Sequence, residues 1–206
     1  MKKLSKSPGT AWKTVGVILI LCALVLTAYN IIDGMRAGNN VIDALEQLII
    51  DTPLTSDEAG ETVIPDYVLN PDMDMPSEEI KGFRYIGKLD IPGLRLSLPV
   101  IKEWSYPGLK RAPCCYTGSI YKDNMVIAGH NYPRHFGSLK KLHQGDEVIF
   151  TDIDGNVFNY EVLEVEILEP TAIEEMVSGD WDLTLFTCTV GGQSRVTVRC
   201  GKNDTK

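Results

Sequence analysis

One almost wholly apolar run constrains this chain more than any other feature. From Val15 to Ile32 there is no charged residue, and the next is Asp33. Eighteen helical residues rise about 27 Å, close to the roughly 30 Å hydrocarbon core of a bilayer and longer than the roughly 7–15-residue apolar core of a secretion signal. The run is therefore read as an uncleaved transmembrane anchor over residues 14–32. Lys2, Lys3, Lys6 and Lys13 precede it with no acidic residue among them. The bias of basic residues toward the cytoplasmic side then predicts a single-pass cell-membrane protein, with residues 1–13 inside and everything beyond Ile32 outside.

Past the anchor, Val41, Ile42, Leu45, Leu48 and Ile49 recur at helical spacing and predict an amphipathic helix over about 37–50. Residues 51–79 hold nine acidic residues, no basic ones, and Pro53, Pro65, Pro71 and Pro76. That composition predicts an extended spacer, with a lid over an active site as the alternative. Residues 33–79 are thus read as helix plus linker, and 80–206 as one catalytic domain. A chain of 206 residues, 44% hydrophobic, suffices for one such core. Its net charge of -8 opposes binding to phosphate backbones, so nucleic acid is not an expected partner.

Within 80–206, apolar β-rich runs at 85–91, 96–101, 124–129, 147–153, 156–168, 183–189 and 195–200 are separated by Gly, Pro and Asp. Seven or eight short strands with few short helices predict a mostly β fold, a small closed barrel. Asp154-Gly155 predicts a hairpin turn, and the TDIDG stretch around it lacks the further ligands of a calcium loop. Helical pieces are expected at 136–142 and 171–177, the second with Thr171 as cap and Glu174 closing a capping box.

The five cysteines are Cys22, Cys114, Cys115, Cys188 and Cys200. There is no CxxC, HExxH, GxGxxG or GxxxxGK[ST], so neither metal nor cofactor is expected. Cys114, Cys115 and Cys200 are read as buried thiols, with a disulfide from Cys200 to one of the vicinal pair as the alternative. Cys188 ends the apolar run DLTLFTC beside Gly191-Gly192, a rigid yet accessible position. Arg195 opens the next strand, where a guanidinium could stabilise a thiolate or an oxyanion. His130 ends the run NMVIAGH and is a residue type that moves protons near neutrality. Each alone has a commoner structural role. Arg199 shares a strand face with Arg195 and competes for its role, whereas His135 and His143 are read as structural or surface residues.

Taken together, residues 124–200 resemble the sortase family in order, spacing and local motif. The family's TLxTC signature stands here as Thr184-Leu185-Phe186-Thr187-Cys188, its histidine as His130 in IAGHN, and its arginine as Arg195 in SRVTV. The likeness reaches back to Tyr85 through IGKLDIPGLRLSLPV and so covers about residues 85–201. It implies a closed eight-stranded sortase-type barrel and a cysteine transpeptidase of Gram-positive cell surfaces. Such an enzyme cleaves an LPxTG-like sorting signal of secreted surface proteins between Thr and Gly. It passes the Thr carboxyl, through a thioacyl enzyme, to an amine of a cell-wall cross-bridge or a pilin lysine. The resemblance further implies Cys188 as nucleophile, His130 as acid/base, Arg195 as oxyanion partner, and Thr187 as an aid to substrate or oxyanion placement through its hydroxyl. Residues 171–181 are too few for the long helical insertion of class B, yet HNYPRHFGSLKKL looks class-B-like, so the subclass stays open. A papain-like thiol hydrolase is disfavoured because the Cys follows the His and no CGSCW signature occurs. A non-catalytic membrane-tethered β-barrel binding module, with Cys188 merely buried, is the third reading.

Overall fold

Alternating strand runs and turn residues produce the expected mostly β arrangement in the computed structural model, which describes residues 8–48 and 64–203. A long helix, α1 (Pro8–Gln47), precedes a single-turn helix, α2 (Asp66–Leu69), and a short strand, β1 (Glu78–Ile80). Then come β2 (Phe83–Ile91), β3 (Leu96–Ile101), the single-turn α3 (Tyr106–Leu109), β4 (Cys114–Thr117) and β5 (Met125–Gly129). The chain finishes with β6 (Glu147–Asp152), β7 (Val157–Leu168), α4 (Ile173–Val177), β8 (Leu183–Cys188) and β9 (Arg195–Lys202).

Strands β2 to β9 close into an eight-stranded barrel in the order β2-β3-β4-β5-β8-β9-β7-β6, with β6 pairing back onto β2 and β1 appended to β2. β3 runs parallel to β4 and β5 parallel to β8, while the other pairs are antiparallel. Closure depends on Gly87, which pairs with Asp152 across the β2–β6 seam. Its φ is 151°, and a Cβ there would meet the Thr151 carbonyl oxygen and the Asp152 Cα, so only glycine lets the two backbones approach. Leu89, Ile91, Leu98, Val100, Ile127, Phe150, Leu183, Leu185 and Val198 fill the interior, as a barrel of this size requires.

The Asp154-Gly155 turn forms between β6 and β7, with Gly155 at φ 80° and its N–H bonded to the Asp152 carbonyl at 3.2 Å. The buried Asp152 carboxylate accepts from Tyr121 Oη (2.7 Å), Asn156 N (2.8 Å) and Asn156 Nδ2 (2.9 Å). It therefore ties the hairpin to the loop before β5. The predicted 136–142 helix is a 3₁₀ segment over Phe136–Lys141. α4 starts at Ile173 with Ala172 at its N-cap position and no side-chain cap. Thr171 lies one residue too early to cap and instead offers its carbonyl to Ile173 N at 2.8 Å.

The N-terminal region divides at Arg36 and Ala37 into two units. In the first, α1 exposes Val17, Leu19, Ile20, Leu24 and Leu26, and the helix is long and apolar enough to cross a membrane. In the second, Ala37, Val41, Ala44 and Leu48 are buried against the barrel. This face is rotated from the one the bulky residues suggest: Ile42 is exposed, and two alanines take its place because they allow close packing. Ile49, and residues 51–63 of the predicted linker, lie outside the described residues. Residues 64–79 are not an extended spacer. Tyr67 stacks on Tyr121 at 4.7 Å and tilts against Phe158 at 5.2 Å, Met75 is buried, and Lys102 Nζ bonds Asp74 and the Met75 carbonyl. Sparse apolar anchors thus dock an acidic segment that composition alone marks as solvated. Tyr121 and Phe158 precede or begin β5 and β7, so Tyr67 packs at the barrel end opposite Cys188.

Candidate active site

Three adjacent strands bring the predicted residues level. Cys188, the last residue of β8, pairs with Arg195, the first of β9. On its other side β8 runs parallel to β5, with Thr187 paired to Gly129, so His130 lies at the same height as Cys188. Alternation puts Cys188 on one face with Thr184 and Phe186. Arg195, Thr197 and Arg199 on β9, and Val126 and Ala128 on β5, share that face through their pairings. This is the outer side of the barrel, since Leu183 and Leu185 point to the core.

Exposure separates the cysteines. Cys188 is exposed, whereas Cys114 and Cys200 are buried and Cys115 is half-buried; all are thiols. Burial pushes the Cys114 thiol up to about 12, Cys115 up to about 11 and Cys200 up to about 12, which leaves them inert as nucleophiles. The β8–β9 turn is fixed by Thr189 N to Ser194 O (2.9 Å) and Gly192 N to Thr189 O (2.8 Å). Arg195 Nη1 donates to the Gly192 and Ser194 carbonyls, both at 3.2 Å, which holds the guanidinium on that turn with donors to spare.

Arg199, the competitor, is committed elsewhere. It is buried and donates to Glu166 Oε1 (2.7 Å), the Met176 carbonyl (2.7 Å), Thr184 Oγ1 (3.2 Å) and the Glu175 carbonyl (2.6 Å). The guanidinium thereby caps the last carbonyls of α4 and pins that helix to the barrel. His143 sits on the surface near Asp146. His135 is fully buried. Burial pushes its ring down to about 4, the nearby Ala37 carbonyl opposes that shift, and the neighbouring His130 adds to it. Thr187 faces the core side with Leu183 and Leu185, its Oγ1 buried and making no hydrogen bond.

Two features of the site carry no motif. The His130 ring stacks on Tyr132, centroids 4.3 Å apart and planes at 20°. Below Cys188, Phe186 joins Val126, Ala128 and Met176 in an outer apolar cluster with Leu109, Tyr116 and Leu168 against it. Tyr116 meets Phe186 edge-on at 5.4 Å, and Trp104 meets Tyr116 at 6.0 Å. This buried cluster packs Met176 of α4 and Leu109 of α3 onto the outside of the barrel next to the strand that carries the thiol. Among the described residues no group of three His, Cys, Asp or Glu is placed to hold a metal ion.

The family model described as Sortase domain matches residues 89–203, more than half of the chain and all three of these strand ends. The chain belongs to the sortase family. Sortases as a family are cysteine transpeptidases acting on surface proteins. The chain is 24% identical to Sortase A of Bacillus anthracis over 187 residues, covering 86% of each. It is likewise 24% identical to Sortase A of Listeria monocytogenes over 189 residues, covering 85% of this chain and 83% of that one. Among solved structures, sortase C1 from Streptococcus suis superposes with a TM-score of 0.51 at 28% identity, over 59% of this chain and 74% of that one. The Sortase D5 transpeptidase of Clostridium perfringens gives 0.56 at 18% identity, over 82% and 99%. These sortase relatives carry A, C1 and D5 designations, so the likeness gives the family and its barrel without a subclass.

Proposed function

We propose that the chain is a membrane-anchored cysteine transpeptidase with Cys188 as nucleophile, His130 as acid/base and Arg195 as oxyanion donor. The observation that supports this reading is the strand register, which pairs Cys188 with Arg195 and ends β5 at Gly129 opposite Thr187, so that His130 follows next to the end of β8, while the rival Arg199 is bound into the fold. In this mechanism the Cys188 thiolate attacks the carbonyl carbon of the scissile peptide bond, and charge gathers on the carbonyl oxygen, where Arg195 supplies N–H donors. His130, protonated, gives its proton to the departing amine, and a thioester on Cys188 results. An incoming amine then attacks that thioester, neutral His130 takes its proton, and the thiolate leaves. Thr187 keeps its hydroxyl buried on the other face, so this reading gives it no part in placing substrate or oxyanion.

The substrate in this reading is an LPxTG-like sorting signal of a secreted surface protein, cut between Thr and Gly, and the acceptor is a cell-wall or pilin amine. Residues 14–32 would be the single membrane anchor, with 1–13 cytoplasmic and the barrel outside the cell; the apolar, exposed first part of α1 supports this. The test uses the full chain in detergent with a panel of LPxTG-type peptides and an added amine, read by mass spectrometry beside Cys188→Ala. A peptide–amine product that disappears in Cys188→Ala is expected. Cys188-dependent hydrolysis without amine transfer would instead make it a thiol hydrolase, and no product or adduct across the panel would favour a binding module.

A further inference from the structure

Residues 130–137 leave β5 and fold into a tight loop. Phe136 N donates to the His130 carbonyl at 3.1 Å, and His135 N and Gly137 N both donate to the Tyr132 carbonyl at 3.0 Å. Phe136 is buried in the core beneath the loop. A Cβ on Gly129 would strike the Phe136 ring, so the glycine just before His130 is what admits that anchor. The loop backbone is therefore fixed, and the His130 ring stacks on one of its side chains.

That side chain is Tyr132. Its ring lies nearly parallel to His130 at 4.3 Å and presents an edge-type contact to His135 at 5.5 Å and 68°. His135 has no exposed surface. It faces the Ala37 carbonyl, though neither ring nitrogen completes a hydrogen bond of ordinary geometry. Beside it, the Arg134 side chain lies where a Cβ on Gly38 would be. Ala37 and Gly38 belong to the buried helical stretch that packs on the barrel. Three layers thus stand behind the proposed acid/base: the Tyr132 ring, the His135 ring, and the Ala37–Gly38 backbone.

We infer that Tyr132 is a positioning residue for His130, its ring fixing the imidazole plane and His135 acting as the backstop that fixes Tyr132. The inference rests on reading His130 as the acid/base. A stacked phenol ring holds the imidazole through its face, and the same face attracts the imidazolium that one half of the cycle requires. The hydroxyl has no part in this, so phenylalanine should replace tyrosine and an aliphatic residue should not. In the order β5-β8-β9 Cys188 lies between His130 and Arg195, and neither of these side chains offers a ring.

The test uses the full chain in detergent with peptide and amine, comparing Tyr132→Leu, Tyr132→Phe, Tyr132→Ala and His130→Ala. Thermal melts confirm that each folds, and Tyr132→Leu retains apolar volume should the alanine variant not fold. Tyr132→Leu is expected to lose about tenfold in kcat with KM within about twofold, as a misoriented acid/base does. The His130 ring resonance should titrate at lower pH in that variant, since the face that attracts the imidazolium is gone. Tyr132→Phe should match the parent in both readouts. Parent-like kcat and an unmoved His130 titration in Tyr132→Leu, with His130→Ala inactive, overturn the positioning role alone. A phenylalanine variant as impaired as the leucine one also overturns it, since the hydroxyl would then be the operative group. Full activity in His130→Ala removes the acid/base reading and this inference with it.

Discussion

Four cysteines lie outside the apolar helix, and the environment of each sets its reactivity. Cys200 sits in the barrel core between Val162 and Leu183, its strand partners, and Cys114 packs with Ile80, Tyr85 and Ile101. Their thiols are pushed up to about 12 by burial, and the Cys115 thiol to about 11. The reactive species is the thiolate, so these three are protected twice, by access and by protonation. Cys188 has the exposure they lack. Brief treatment of the folded full chain with iodoacetamide near neutral pH should carbamidomethylate Cys188, with Cys114, Cys115 and Cys200 modified at less than about a tenth of that rate. Peptide mapping by mass spectrometry reads the result. Preferential labelling of the vicinal pair, with Cys188 untouched, would speak against Cys188 as the nucleophile. At the same scale Thr187 shows the limit of motif reading: the signature places it next to the thiol, but strand alternation sends its hydroxyl to the other face.

Between elements, the contact of the buried helical stretch with the loop after β5 has its own pH signature. His135 is pushed down to about 4 from an ordinary 6.5. The folded state thus disfavours the proton that the unfolded chain binds, and stability is fully present above about pH 6.5 and lost as pH falls toward 4. The span corresponds to about 3 kcal/mol. Melting temperature against pH should fall more steeply between 6.5 and 4 for the parent than for His135→Gln, and identical slopes would show that the ring does not titrate as its burial requires. Strands such as β5, β7 and β8 are legible from the sequence because their runs are bounded by Gly, Pro and Asp. β4 was not: four residues between Pro113 and Gly118, including two cysteines, carry no period. β1 escaped for the same reason and because its residues are acidic. Motif singles out His130, Cys188 and Arg195 as candidates, but the meeting of the ends of β5, β8 and β9 comes from the parallel pairing of β5 with β8, which local pattern does not encode. The Tyr132 stack depends on the closure of the 130–137 loop and left no signal in spacing.

On the scale of the whole molecule, the barrel does not end where its β-rich sequence begins. A boundary at residue 80 looks natural from composition, yet Val41, Leu48 and Met75 are buried with the barrel, and Leu45 and Tyr67 pack against it. The Asp43–Lys81 ion pair also joins the helical stretch to the β1–β2 turn, although both side chains are half exposed and such pairs contribute little. The apolar contacts matter more. Removing three buried side chains and two partly buried ones, while baring the surfaces they cover, costs on the order of 5 kcal/mol or more. Domains of this kind have roughly 5–15 kcal/mol in total. A chain of residues 37–206 should therefore be soluble and cooperative in unfolding, whereas 80–206 should melt about 10–20 °C lower or aggregate. Differential scanning calorimetry of the two would decide it. Equal melting temperatures would show that the barrel is complete from residue 80 and that the preceding segments merely lie on it. A large gap would mean that the helical stretch and the acidic segment are structural parts of the catalytic unit, so activity measured on the shorter chain would understate the enzyme.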